Sequence, residues 1–335
     1  MTTLNWLHLT DWHQRGDEFN RKVVRDALLK DIRERKKISP DLEFIDFIFF
    51  SGDVSYNGCL EEYRASIEQF FNPILNAAEV AVNRLIIVPG NHDVEWAALD
   101  LLPSSIHEKL DSHERVNEWL LDEQKRRILL EPMSCFRQFA NEYLGKDILI
   151  PDPAYGYSRC FDIRGKKIAV LGINSAWLSG RHKETKDGKE IVNDYGHLII
   201  GETQFYDLLQ KEDFCKADLK IGVMHHPFDW LTNFDRQNVR DRLKKACHFI
   251  LHGHEHQPDV RIETGTGGDC IVIPAGPSYD RREPEISRCA NAYNFAHLDF
   301  NTGKGKVYLR RYDDRQGWIK DTSTTGDLHS WNVFN

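Results

Sequence analysis

The sequence predicts a layered α/β fold, and three observations predict it. Short apolar runs alternate with helix-period stretches in the order strand, helix, strand, helix, strand over residues 4–88, as in a sheet flanked by helices. The β pattern resumes after a charged helical interval and closes in consecutive strands of antiparallel style. Five strand ends present Asp11 and His13, Asp53, Asn91 and His92, His225, and His254 and His256. In open α/β sheets, ligands bind outside the carboxyl ends of the strands.

The apolar run 4–10 reads as the first strand, with Asp11-Trp12-His13 at its end. In extended backbone, two residues separated by one point the same way, so Asp11 and His13 are expected to converge. A helix follows over 17–36, with Asp17 as its N-cap and Val24, Ala27, Leu28 and Ile32 as its buried stripe. The run 44–50 is almost wholly apolar, the mark of a strand covered on both faces. It ends at Ser51-Gly52-Asp53. A second helix over 60–78 leads to the strand 85–88, and Pro89-Gly90 turn the chain into Asn91-His92-Asp93. Asn91 offers a neutral oxygen to a metal, and His92 a proton near neutral pH.

The interval 96–157 is charged and helical, with stripes at Val116, Trp119 and Leu120 and at Met133, Phe136, Phe139 and Tyr143. It reads as a helical insertion of two or three helices packed over one side of the sheet. A strand over 167–173 ends at Asn174-Ser175, and the Lys-rich stretch 179–194 reads as an exposed excursion or hairpin. The strand 219–224 ends at His225-His226-Pro227, and the strand 247–251 at His252-Gly253-His254-Glu255-His256. Strands over 270–273, 292–300 and 304–312 complete the pattern. One domain is expected over 1–320. Residues 321–335 read as a tail or the start of a further segment, one that could join another domain or a partner protein.

Composition bounds the classes. The chain has 335 residues, 41% of them hydrophobic and 29% charged, a soluble globular balance. No run approaches the roughly 18 apolar residues of a membrane helix, and the first ten residues lack the features of a signal peptide. Seven cysteines without paired spacing predict reduced thiols and a cytoplasmic protein. A formal net charge of −8 gives no broad attraction to nucleic acid, although basic loops could supply it locally. Arg15, Arg181, His182, Lys183, Arg281 and Arg282 are the candidates for that role.

The oxygen and imidazole donors at the strand ends, without thiolate, suit manganese, iron or zinc in a reactive site rather than a structural zinc knot. Asp11-x-His13, Gly52-Asp53, Gly90-Asn91-His92-Asp93, His225-His226-Pro227 and Gly253-His254-x-His256 resemble, in order, the five motifs of the calcineurin-like metallophosphoesterases. The resemblance implies a four-layer αββα sandwich of two mixed sheets with a dinuclear centre at the strand ends. It implies that Asp11, His13, Asp53 and His256 bind one metal and that Asp53, Asn91, His225 and His254 bind the other, Asp53 bridging. His92 is implied as the catalytic histidine. His226 and His252 carry no implied ligand role, and Glu255 is expected to point away.

The expected activity is hydrolysis of a nucleotide-type or other small phosphodiester by a metal-bridging hydroxide, since two cations offset the anion's charge and activate water. Protein phosphatases of the superfamily place Asp and Arg where this chain has Tyr56 and Asn57, which disfavours phosphoprotein substrates and leaves the partner of His92 open. The compact motif forms look more like bacterial phosphodiesterases, and Asp11-Trp12-His13 resembles repair nucleases of the superfamily. A DNA or RNA nuclease is therefore the alternative. A non-catalytic scaffold is the reading from another class, and it would be expected to have lost ligands.

Overall fold

The computed structural model describes residues 2–16, 18–101, 106–145, 155–186, 188–255, 260–263, 270–280, 291–322 and 329–332. In chain order its strands are β1 (Thr3–Leu9), β2 (Phe47–Phe50), β3 (Leu85–Ile87), β4 (Tyr157–Ile163), β5 (Lys166–Gly172), β6 (Lys183–Lys186), β7 (Lys189–Val192) and β8 (Leu219–Val223). They continue as β9 (Phe249–His252), β10 (Arg261–Glu263), β11 (Cys270–Pro274), β12 (Ala292–Asp299), β13 (Lys304–Asp313), β14 (Gly317–Lys320) and β15 (His329–Asn332).

Two mixed sheets result. The first runs β14-β13-β12-β1-β2-β3, with β15 also paired to β13, and the second β10-β11-β9-β8-β5-β4. In the first, β1, β2 and β3 are parallel and β12 and β13 antiparallel. In the second, β5, β8, β9 and β11 are parallel, with β4 and β10 antiparallel at the edges.

Side-chain alternation assigns the layers. Phe49 meets Trp6 at 6.3 Å and Trp6 meets Phe249 of the other sheet at 5.2 Å, whereas Phe50 turns the opposite way onto Phe70 and Phe71. In the second sheet Phe249 and Leu251 join the core shared with the first. Ile250 between them joins a separate cluster with Val239 and Leu243 of the helix Asn233–Ala246. The order is helices, sheet, sheet, helices. Burying each such apolar side chain is worth about 1.5–3 kcal/mol, so the inter-sheet and sheet–helix layers both hold the fold together.

Boundaries shift in ways that packing explains. The first helix begins at Phe19 and ends at Arg33, and Glu18 occupies its cap without a side-chain hydrogen bond; Asp17 lies outside the described residues. Phe44 falls before β2 and is 65% exposed. Strand β11 pairs parallel with β9 rather than opening the antiparallel run, because the short β10 takes up the chain reversal. Hairpin β6-β7 forms in the Lys-rich stretch, and β15 falls within the stretch read as a tail.

The insertion's helices, chiefly His113–Leu121, Glu123–Leu130 and Ser134–Tyr143, pack on other helices and loops. Phe139 stacks on Tyr63 at 4.7 Å and meets Phe71. Asn117 bonds Thr203, and Arg181 donates to the Leu129 carbonyl. A methyl group added at Gly201 would touch Val116 and Leu120.

Candidate metal centre

Six of the seven residues expected to hold metal come together where the parallel strands end; His256 lies outside the described residues. His13 Nε2 stands 3.0 Å from Asp53 Oδ2 and 3.7 Å from Asp11 Oδ1. His225 Nε2 stands 3.4 Å from the same Asp53 oxygen and 3.1 Å from both Asn91 Oδ1 and His254 Nδ1. Donor atoms of Asp11, Asp53 and His225 form one tight group, and those of His13, Asp53 and His92 another. Asp53 belongs to both.

The convergence is not the work of extended backbone. Asp11, His13, Asp53 and His254 have φ of 52°, 50°, 60° and 65°, in the left-handed region that few non-glycine residues enter. Main-chain bonds hold them there: Asp11 N donates to the Gly52 carbonyl, Trp12 N and His13 N to that of Asp53, and Gln14 N to that of Val54. Trp12 turns inward and stacks on Phe70 at 4.2 Å. A π-helical turn at Ile67–Phe71 points both Phe70 and its neighbour Phe71 into the core, which suits a π turn at a working site. Glu255 follows a left-handed residue, so its expected outward direction has no alternation to rest on.

Asp93 had no assigned role, yet it holds the centre's frame. Its carboxylate is fully buried and accepts the backbone N–H groups of Asp53, Val54, Ser55 and Gly90 and the hydroxyl of Tyr63. Burial, then the Asp53 charge, push its pKa up to about 6 against these bonds. At Gly90 a Cβ would lie 2.2 Å from Asp53 Oδ1, so only glycine lets the two loops approach.

His225 donates from Nδ1 to the Ser51 carbonyl at 2.7 Å, which leaves Nε2 facing Asp53, Asn91 and His254. Burial opposes its protonation, but Asp53, Asp11 and the Ser51 carbonyl outweigh this and hold it up at about 9. Burial likewise opposes ionisation of Asp53, and His225, His92 and His13 overcome it. Oxygen and nitrogen lone pairs of Asp53, Asn91, His225 and His254 thus crowd one small volume, a set that suits a shared cation.

His92 finds its partner in the main chain. Its Nδ1 donates to the Tyr56 carbonyl at 2.9 Å, and the Tyr56 ring stacks against it at 4.9 Å and 28°. Nε2 is therefore the atom left for a substrate. Asn57, where a phosphatase Arg would stand, is tied to Glu62 through both its main chain and its amide. His226 is bonded to Ser175, and its ring centre lies 4.6 Å from that of His225 and 4.5 Å from that of His254, a nearness the sequence alone did not indicate. Trp230 meets His254 at 4.0 Å and the exposed Tyr195 at 5.5 Å.

Of the basic candidates, Arg15 lies with its Cζ 4.3 Å from the centre of the Tyr56 ring, whereas Arg181 is buried under the insertion. Lys183 is on the hairpin, and Arg281 and Arg282 lie outside the described residues. His182 stacks on His197 at 3.4 Å and 11° with Glu184 alongside. Parallel rings point their lone pairs side by side rather than at one ion.

Comparison with known proteins gives three findings. The family model described as calcineurin-like phosphoesterase matches residues 4–258. An uncharacterised metallophosphoesterase-like protein of Bacillus subtilis, YydB, is 25% identical over 270 residues, which are 78% of this chain and 51% of that protein. The chain thus spans about half the length of the curated relative it matches. Among solved structures, GAP50 of Plasmodium, titled the anchor in the inner membrane complex, aligns over 100% of this chain and 90% of its own, with TM-score 0.51 and 13% identity. A single mutant of Vps29 from Entamoeba histolytica covers 98% and 100%, with TM-score 0.40 and 10% identity.

Proposed function

The chain belongs to the calcineurin-like phosphoesterases, a family of metal-dependent phosphoric ester hydrolases, and on that premise we propose that it is a dinuclear phosphodiesterase acting on nucleotide-type or other small diesters. The observation that carries the proposal is that one oxygen, Asp53 Oδ2, stands 3.0 Å from His13 Nε2 and 3.4 Å from His225 Nε2, donors of the two sets proposed next. Asp11, His13, Asp53 and His256 would hold one ion, and Asp53, Asn91, His225 and His254 the other, with manganese, iron or zinc suited to the donors. Two such ions supply charge neutralisation and an activated water.

The protein's own contributions follow from its hydrogen bonds. Ser51 fixes the His225 tautomer, Asp93 holds the loops of Asp53 and Gly90 in register, and Tyr56 aims Nε2 of His92 outward. From that atom His92 would hydrogen-bond a phosphoryl oxygen or protonate the leaving oxygen. With Asn57 bound to Glu62, no guanidinium stands at the phosphatase position to grip a monoester dianion, which favours diesters and disfavours phosphoproteins. No described helix is long and apolar enough to cross a membrane, and the described cysteines are free thiols, in keeping with a cytoplasmic setting.

A DNA or RNA nuclease using the same centre is the second reading. The exposed Tyr195 beside Trp230, itself against His254, favours it, since aromatic faces stack unpaired bases.

The test is a panel with added manganese: bis-nitrophenyl phosphate, nitrophenyl phosphate, cyclic nucleotides, and single- and double-stranded DNA. Diester turnover that chelator abolishes and manganese restores is expected, with kcat/KM higher for the diester. Turnover unchanged in metal-free protein, or a clear monoester preference, would overturn the reading.

A further inference from the structure

We infer that Arg15 binds a phosphate carried by the leaving portion of the substrate, next to the scissile one, and so favours a nucleotide-type diester that bears a second phosphate over one that does not. The inference rests on the reading of His92 as the residue that faces the leaving oxygen.

Arg15 and His92 share one support. The guanidinium carbon lies 4.3 Å from the Tyr56 ring centre, and the His92 ring lies 4.9 Å from it. Their separation cannot exceed the sum of these, which is within reach of one extended substrate. The backbone at position 15 is pinned, because its carbonyl accepts from Arg21 Nη1 at 2.5 Å. Arg21 in turn lies against Trp12 and Tyr279, at 5.6 and 5.1 Å.

Neighbouring arginines are spent on acids: Arg21 on Glu18, Arg25 on Asp26 and Arg35 on Glu79. Among the described residues Arg15 alone of these four makes no ion pair. Its flat face is satisfied by the Tyr56 ring, while its N–H edge remains open. A half-buried guanidinium in that condition is a bidentate receptor for phosphate oxygens. Just past Gly16 a pocket of about 220 Å³ is lined by Glu18, Arg21, Lys22 and Arg25 among others; Arg21 and Arg25 are paired to acids, which leaves Lys22 as the cation there for a further phosphate. A substrate with a second phosphate beside the scissile one fits Arg15 and Lys22 better than an isolated diester does.

The full chain loaded with manganese is assayed on bis-nitrophenyl phosphate, a thymidine dinucleotide, and that dinucleotide with a terminal phosphate on its leaving nucleoside. In Arg15→Gln, KM for the phosphorylated dinucleotide should rise about tenfold or more, as expected for loss of a hydrogen bond to a charged group. Its kcat, and the kinetics of the other two substrates, should stay within about twofold of wild type, by the usual size of effects away from a lost contact. Arg15→Lys should recover part of the loss. An equal loss on all three substrates, or no change on any, overturns the inference. If the wild-type protein cleaves none of them, the diesterase reading fails instead. A fluorescence titration of His92→Ala protein, with and without Arg15→Gln, then decides: equal affinity for the two dinucleotides refutes the role of Arg15.

Discussion

Replacing Asp93 with Ala removes the acceptor for four buried N–H groups, those of Gly90, Asp53, Val54 and Ser55. Each buried donor left unpaired costs about 1–3 kcal/mol, so the gross loss is about 4–12 kcal/mol. Two effects work against it. The substitution relieves a charge buried beside Asp53, and the space it leaves can admit water to some of the donors. A net loss of at least about 3 kcal/mol is expected, a large share of the roughly 5–15 kcal/mol that stabilises a typical domain. Asp93→Asn keeps one oxygen and should fall between wild type and Ala, which preserves the comparison if the Ala protein does not fold. The assay is urea unfolding in chelator, so that metal linkage does not enter. The midpoint should drop with the slope unchanged. A loss below about 1 kcal/mol for Asp93→Ala would refute the view that this carboxylate holds the two loops together.

Two further outcomes are expected. His92→Ala should retain metal by elemental analysis and lose about 10²–10⁴-fold in kcat; parallel loss of metal would make it a ligand. Gly90→Ala is compatible with its backbone φ of −111° but drives a Cβ against Asp53 Oδ1, so metal content should fall while the far-UV spectrum is retained, and full metal occupancy would show that the loops can separate.

Much of this was legible in the sequence because it depends on period and on chain punctuation. The almost wholly apolar run 44–50 marks a strand covered on both faces, and Gly-Asp, Gly-Asn-His and Gly-His mark the points where the chain leaves the sheet. What escaped depends on partners without a side-chain signature. The acceptor for His92 is a main-chain carbonyl, that of Tyr56, which any residue could have supplied. Asp93 looked like one more turn residue because its partners are also backbone groups, some of them 40 positions away. Short edge strands such as β10 and β14 are too brief to show a period, and their pairing is decided by the neighbouring strand. The left-handed backbone at the proposed ligands reverses the inference from extended alternation. Asp11 and His13 do meet, but by a tight turn over the buried Trp12 rather than by sharing one face of a strand.

That backbone limits which amino acids the centre can use. Positions 11, 13, 53 and 254 admit, at little conformational cost, only glycine and the few short polar side chains that tolerate positive φ, chiefly Asn, Asp and His. Glutamate offers the same oxygen chemistry as aspartate, yet it is poorly suited to such a site before any question of metal affinity arises. The donor vocabulary is thus filtered twice, first by the peptide geometry and then by the ion. Exchanging donors among these four proposed ligand positions is therefore a narrower enterprise than coordination chemistry alone would allow, and a redesign for a chosen metal would have to begin by rebuilding the loops.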